Sequence, residues 1–437
     1  MITHIRMKNF KSWKDSGKID LAPLTGFFGT NSSGKSSLLQ MLLLLKQTAL
    51  ESNQDEVISL GNKESLINHG SFKDVIFGHL ENETLEFELS CNLHSPIILD
   101  VSNENEDLKV EIESFIFNTS IALNAHGLYI PELKYTIESP ISLIISCKDR
   151  ELSFKYKDLQ HKNQIHYTSK FERNCYGKLQ NEKNDFRLFT NAFETTFSNV
   201  YYLGPSRIDS KRFYNWQGQH PENYEKFGNQ TIDALLSARV LKINTIHKKE
   251  EVPIEEKISD WLKKMDLAYS FSLDSADPKN FSYVVQIQKS AHSPKVSLVD
   301  MGYGLSQFLP VLVLCYYASE GATLILEQPG IHLHPRVQSQ VADLLIEVVK
   351  ERNLQILVES HSEHLLNRLQ RRIAEEEIRV DETALYFCRN EDGESKIDHL
   401  KMDEFGNISN WPDNFFGDEI GDLIAMTEAQ RERQKGI

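Results

Sequence analysis

The chain has 437 residues, and 48 Lys+Arg against 63 Asp+Glu leave it a formal net charge of −15. With 40% hydrophobic and 25% charged residues, 21 Gly and 13 Pro, it has the usage of an ordinary globular protein of two or three lobes, which excludes a disordered, fibrous or disulfide-stapled chain. The acidic balance also argues against an all-over basic coat that grips nucleic acid indiscriminately, because Lys and Arg neutralising phosphates supply most of that affinity.

The first 50 residues predict strands at Ile2 to Phe10, Gly17 to Leu21 and Leu24 to Phe28, then a helix from Ser36 to Glu51. That helix, SLLQMLLLLKQTALE, is apolar on nearly every side, so it belongs in a core. From Leu80 to Tyr202, short alternating runs such as ETLEFELSCNL and SPISLIISCKD predict a β-rich lobe. Helical text follows from Gly228 to Leu267, TIDALLSARVLKINTIHKK and EEKISDWLKKMDL, broken at Pro253. The remainder alternates: a strand at Ser282 to Gln288, a helix at Gln307 to Ala318, a strand at Thr323 to Glu327, a helix at Pro335 to Arg352 and a strand at Gln355 to Glu359. That rhythm is α/β. A hairpin around Asp392-Gly393 and a helix from Asp418 to Gln434 complete the expected elements.

Five widely spaced cysteines, Cys91, Cys147, Cys175, Cys315 and Cys388, form no CxxC pair and are expected to be reduced and buried. No apolar run reaches the roughly 20 residues of a membrane helix and the N-terminus has no apolar signal core, so the expectation is a cytoplasmic protein with no membrane partner.

The sharpest chemical signal is GTNSSGKS, made of Gly29, Thr30, Asn31, Ser32, Ser33, Gly34, Lys35 and Ser36, with Ser37 following. It matches G-x-x-x-x-G-K-[ST] and stands where that motif works, between a strand and a helix. Glycines let backbone N–H groups turn inward around a phosphate, the helix N-terminus favours the anion, Lys35 reaches the β/γ-phosphates and the Ser36 hydroxyl can ligate Mg²⁺. A second strand, TLILEQP, ends in Glu327, a Walker B candidate for the same ion. The next residue, where a carboxylate base often stands, is Gln328. An amide cannot accept a proton at neutral pH, although it can orient an attacking water. In LVESHSEH, His361 follows a third strand, placed to meet a γ-phosphate oxygen or hold the water, or to serve as an ordinary structural histidine. His332, His334, His361 and His364 lack the carboxylate or thiol spacing that would complete a metal set. Arg207, Lys211 and Arg212 beside Tyr214 and Trp216, and Arg368, Arg371 and Arg372, are candidate phosphate contacts or plain solvated faces.

The fourth element, DMGYGLSQFLP, places a glycine pair ahead of an apolar helix. With it the chain resembles an ATP-binding cassette ATPase of the RecF, SMC and OLD (overcoming lysogenization defect) kind. YLGPSR, EQPGIHLHP, ESHSEHLLNRLQRR and WPDNFF are most similar to stand-alone bacterial ATPases that accompany nucleases in anti-phage systems such as Septu and PARIS. The resemblance covers roughly the first 80 and last 140 residues. It implies an α/β P-loop NTPase head carrying a β-rich insertion and a helical segment. The first part of the head, with the P-loop, would be residues 1–80, the insertion 81–202, and a helical linker 203–295. The second part of the head would be 296–390, and a hairpin and helix 391–437. It further implies ATP and Mg²⁺ as ligands, Ser36 and Glu327 as metal residues, and Glu327, Gln328 and His361 in catalysis. Two protomers would sandwich ATP, with Gly304 and Ser306 facing the partner's nucleotide, and larger assemblies are open.

Gly302 stands where the family's signature serine is usual, and Gln328 where its glutamate is. Only 76 residues (437 − 361) follow His361, too few for the Toprim nuclease fused in OLD enzymes, so any effector nuclease is expected on a separate chain, with Asp381, Glu382, Glu391, Asp392 and Asp398 as hairpin surface. Three functions stay open: a hydrolysing switch for such an effector, a non-hydrolysing ATP-bound scaffold or sensor, and a RecF-like clamp on DNA.

Overall fold

The computed structural model describes residues 1–50, 56–103, 106–137, 142–148, 151–157, 162–166, 175–176, 187–221, 226–247, 250–412 and 419–435. At its centre is a six-stranded sheet in the order Val200–Leu203, Thr323–Glu327, Gln355–Glu359, Leu24–Gly29, Thr383–Glu391, Glu394–His399. The first five strands run parallel, and the last closes an antiparallel hairpin on Thr383–Glu391. Asp392 (φ 52) and Gly393 (φ 87) make its turn, both in the left-handed region that a two-residue hairpin requires.

Strand alternation divides the molecule into two cores. Leu24, Phe28, Leu324, Leu326, Ile356 and Val358 face one side, where the helices Thr231–Leu241, Ile254–Lys264, Tyr303–Tyr317 and Pro335–Arg352 pack. Phe27, Ile325, Leu357, Tyr386 and Cys388 face the other, against the helix Lys35–Leu50. The all-round apolar character of that helix is explained by its position: Leu38, Leu39 and Met41 to Leu45 are all buried, between the central sheet and a second, ten-stranded one. That sheet starts at Ile2–Phe10. The strand Leu85–Asn103 pairs antiparallel with it, so the β-rich stretch extends a sheet begun by the N-terminal strand. Phe115, Phe117, Tyr135, Phe189, Phe193 and Phe197 fill the space beneath.

Several expected elements change in detail. The helix beginning at Thr231 stops at Leu241, where Lys242 turns left-handed (φ 54), and the text expected to remain helical forms the paired strands Asn244–His247 and Glu250–Pro253. The β-branched run Ile243, Thr245, Ile246 favours the extended form once that turn has ended the helix. The strand expected over Gly17 to Leu21 is reduced to Ile19–Asp20. The helix after the glycine pair starts at Tyr303, four residues earlier than expected, with Gly302 as N-cap and Pro310 inside it. Strands Thr323–Glu327 and Gln355–Glu359 and helix Pro335–Arg352 stand where the sequence places them.

Cys91, Cys175, Cys315 and Cys388 are free and buried, and burial pushes each thiol up to about 12; the side chain of Cys147 lies outside the described residues. The last helix is Glu419–Lys435, while Asp418 and most of WPDNFF lie outside the described residues. Among the described residues no helix is long and apolar enough to cross a membrane.

Candidate functional site

Phe28 and Gly29 end a fully buried strand, and the chain then turns through Thr30 to Gly34 into the helix that opens at Lys35. Two glycines are dictated by their surroundings. Gly29 has φ +131 and a Cβ there would lie 2.0 Å from the Cys388 carbonyl oxygen; Gly34 has φ +92 and a Cβ would meet Ser395 Oγ at 2.3 Å and Trp13 Nε1 at 2.8 Å. Trp13 Nε1 donates to the Gly34 carbonyl at 3.1 Å, so the loop is clamped from behind by the N-terminal sheet and the C-terminal hairpin. Thr30, Asn31 and Ser32 are exposed on the outer side, Ser36 and Ser37 are half-buried, and Ser33 is buried. Lys35 Nζ donates to Gly29 O (3.2 Å), Thr30 O (2.6 Å) and Ser33 Oγ (3.4 Å). Burial lowers its pKa, and the charge of Glu359 opposes that shift.

Glu327 and Glu359 end adjacent parallel strands in direct register, and Glu359 is in turn level with Phe27 of the phosphate-loop strand. Both share the parity of Ile325 and Leu357, so they face the side of the sheet that carries the Lys35–Leu50 helix. Each is about 95% buried, with 5% and 6% exposure. Burial first, then the charge of Glu359, pushes Glu327 up to about 7, while a hydrogen bond from Tyr202 and the charge of Lys11 pull the other way. Tyr202 Oη donates to Glu327 Oε1 at 2.9 Å. Lys11, brought to about 8 by burial, reaches Gln40 on the phosphate-loop helix. Glu359 is likewise raised by burial, against Ser36, Lys35 and Gln328, which favour its charged form, and its Oε2 is buried with no hydrogen-bond partner.

Gln328 is in the left-handed region (φ 48), with its N–H on the Glu359 carbonyl (2.9 Å) and its Oε1 accepting from the His361 N–H (3.4 Å). The exposed His361 faces Gly29 and Lys35: burial of part of the ring and the lysine charge lower its pKa, against a hydrogen bond to Gly29 backbone. Gly304, in the first turn of the helix Tyr303–Tyr317, lies against its own chain's HLHP loop, where a Cβ would lie 2.6 Å from His332 O. Tyr303 packs edge-on against His332, ring centres 4.9 Å apart, and Ser306 Oγ donates to Tyr303 O at 2.7 Å. Gly302, by contrast, has open space around it.

The arginines of the two basic clusters are paired within the chain. Arg207 is buried and donates to the carbonyls of Gln307 (3.1 Å), Glu327 (3.0 Å) and Gln328 (3.3 Å), so it joins the helix Tyr303–Tyr317 to the acidic strand and is not the phosphate contact that the sequence suggests. Arg212 forks onto Asp300, Arg368 and Arg372 share Asp343, and Arg371 pairs with Glu375. In the hairpin region, Asp381 and Glu382 pair with Arg379, and Glu391 and Asp398 with Arg389. Among the described residues no group of three or more His, Cys, Asp or Glu is gathered to hold a metal, and His334 instead caps the helix Pro335–Arg352 through the Arg336 N–H (3.3 Å). A cavity of about 260 Å³, lined by Met1, Leu93, Leu188 and Thr323 among others, includes no residue of the phosphate loop.

The family model for the AAA ATPase domain matches residues 1–366. The chain belongs to that family. In this AAA ATPase domain chain, residues 378–425 match a second model, a protein family of unknown function (DUF3696). The OLD nuclease of Thermus scotoductus (strain ATCC 700910 / SA-01) is 24% identical over 186 residues, 41% of this chain and 34% of that protein, so the chain spans about a third of the length of this relative. The Smc head domain with an extended coiled coil bound to the C-terminal domain of ScpA, derived from Pyrococcus furiosus, aligns with 98% of this chain and 99% of its own at 12% identity and TM-score 0.47. The SMC head domain from Thermotoga maritima aligns with 92% and 99% at 11% identity and TM-score 0.42. The ATPase is thus an α/β protein of the P-loop NTPase fold.

A divalent cation fits the residues present. Ser36 and Glu327 are the hard oxygen donors such an ion takes, and the negative charge buried at the two strand ends is only partly offset by Lys11 and Lys35. Glu359, Tyr202, Arg207 and Lys11 were not among the residues that motif spacing singled out for this site. The signals existed, an acid two residues before His361 and the YLGPSR string, but what they mean depends on strand order.

Proposed function

We propose that this AAA ATPase is a nucleotide-gated dimeric switch, closed by ATP·Mg²⁺ and released by slow hydrolysis, which controls a separate effector nuclease in bacterial anti-phage defence. The observation that carries the reading is the meeting of a phosphate loop, its lysine and two buried acids at the carboxyl ends of three successive parallel strands, the place where α/β sheets bind ligands. Backbone N–H groups of Gly29 to Ser36 cradle the β-phosphate, Lys35 exchanges its loop carbonyls for β/γ-oxygens, and Ser36 and Glu327 hold the cation. Bound there, Mg²⁺ neutralises phosphate charge. Gln328, fixed by its backbone contacts, orients the water without taking its proton, and His361 meets the γ-phosphate from beside Gly29. Gly304 and Ser306 present the start of a helix to the partner's nucleotide.

The defence setting and the nuclease partner are supported by the resemblance of YLGPSR, EQPGIHLHP and ESHSEHLLNRLQRR and by the weak likeness to OLD nuclease. The amide at Gln328 favours one second reading, a non-hydrolysing ATP-bound scaffold. Light scattering with and without ATP·Mg²⁺, run beside phosphate release, tests both. ATP-dependent dimerisation with slow turnover supports the switch; ATP-dependent dimerisation with none supports the scaffold. Nucleotide binding that survives in Lys35→Ala refutes both.

A further inference from the structure

One carboxylate suffices for the site just proposed, yet the structure buries two. Glu359 lies level with Glu327 across one pair of strands and level with the phosphate-loop strand across the next, so it stands between the acid and the loop. Its side chain is among the most buried charged groups of the chain, at 6% exposure, and its Oε2 meets no hydrogen-bond partner. Burying a carboxylate beside another and leaving one oxygen unmatched costs free energy that Leu or Gln at this strand end would avoid. The neighbours it does have are Ser36, Lys35 and Gln328, all of the phosphate-loop site.

We propose that Glu359 is a ligand of the nucleotide's divalent cation, its unmatched oxygen joining Ser36 and Glu327 in one shell. The assignment rests on the reading that the loop binds ATP·Mg²⁺. The geometry supports it in three ways. Ser36 is the first residue after the loop lysine and acts directly on the Glu359 carboxylate, so a cation held by the Ser36 hydroxyl is within that carboxylate's reach. The side-chain parity of Glu327 and Glu359 is shared, so both approach the ion from the same face of the sheet. Finally, Mg²⁺ and Mn²⁺ take oxygen donors, commonly one or two carboxylates together with phosphate oxygens, and two carboxylates and a hydroxyl lie within that repertoire. The second carboxylate makes cation binding to this chain steeper in affinity than a site built on Glu327 alone.

The test titrates Mn²⁺ by electron paramagnetic resonance into the full chain holding AMPPNP, and measures AMPPNP binding separately in EDTA. In Glu359→Gln, Mn²⁺ affinity is expected to fall by at least the roughly 10–100-fold that even outer-shell partners contribute. AMPPNP binding in EDTA should be kept or tightened, because a negative group facing the phosphates is gone. Mn²⁺ affinity within about twofold of the parent overturns the assignment of Glu359 and leaves the ATPase reading standing. Failure of the parent chain to bind AMPPNP overturns the ATPase reading itself. Should Glu359→Gln lose AMPPNP binding in EDTA through misfolding, Glu359→Asp decides: weakened Mn²⁺ with AMPPNP retained supports the ligand role, and unweakened Mn²⁺ refutes it.

Discussion

Glu327→Gln should make the metal-free protein more stable, by an amount that grows with pH. Glu327 is 5% exposed, hydrogen-bonded by Tyr202, and raised from its ordinary 4.5 to about 7. Because the folded pKa is the higher one, the folded state binds a proton that the unfolded chain has already released between these two values. Stability is therefore lost as pH rises through that window, and the full penalty is present above about 7. Raising the carboxyl from 4.5 to about 7 corresponds, at about 1.4 kcal/mol for each tenfold change in proton affinity, to a penalty of about 3 kcal/mol at pH 8, falling to under about 1 kcal/mol at pH 5. Gln keeps an acceptor for the Tyr202 hydroxyl but carries no charge, so it escapes the penalty. Thermal unfolding of both proteins in EDTA at pH 5, 6.5 and 8 should show the variant's advantage widening with pH. Saturating ATP·Mg²⁺ should reverse it, since the ionised carboxylate then has a cation. An advantage that is constant across pH, or widest at pH 5, refutes the argument.

Other substitutions separate the roles of neighbouring residues. Gln328→Glu places a proton acceptor at the usual position and is expected to raise phosphate release about tenfold or more at neutral pH, the lower end of what a positioned base contributes being larger still. Lys35→Ala should abolish binding of a fluorescent ATP analogue and also lower the melting temperature, because the Gly29 and Thr30 carbonyls lose a donor and Glu359 loses a neighbouring positive charge. Arg207→Met should cost about 1–3 kcal/mol for each carbonyl of Gln307, Glu327 and Gln328 that stays dry and unpaired, seen as a lowered melting temperature, with no change in the salt dependence of any DNA binding. Gly304→Ala drives a methyl against the His332 carbonyl and should destabilise by about 1–3 kcal/mol and abolish ATP-dependent dimerisation, with monomer ATP binding retained.

What the sequence discloses and what it hides follow from the range of the interactions. Thr323–Glu327 and Gln355–Glu359 each hold a three-residue apolar run that ends in an acid, too short for a helix and bounded by turn residues, which suits a strand buried on both faces and makes their limits legible. The helix Pro335–Arg352 announces itself through Pro at its first turn and Lys350 and Arg352 in its last. The turn between Leu24–Gly29 and Lys35–Leu50 is legible because the signals of GTNSSGKS are local to eight residues. Glu359 is not, because its significance comes from a neighbour 32 positions away (359 − 327) that only the strand order supplies. The tail of TIDALLSARVLKINTIHKK is lost for a different reason: its charges and apolar residues suit a helix, and one left-handed residue, Lys242, redirects it.

Arg207 shows how the same distance problem hides a mechanical link. In the sequence it sits among cations and aromatics and invites a nucleic-acid reading. In the fold its guanidinium reaches the carbonyl of Gln307, on the helix Tyr303–Tyr317, and those of Glu327 and Gln328, at the carboxyl end of the acidic strand. The HLHP loop makes a second bridge, with His332 pressed on Gly304 and Tyr303. In the proposed switch, a movement of the start of the Tyr303–Tyr317 helix would be passed towards Gln328 by both bridges, one ending on its own carbonyl and the other at His332, four residues on. Dimer closure and water positioning would then be coupled in that switch, and the amide at Gln328 would set how long the closed state lasts.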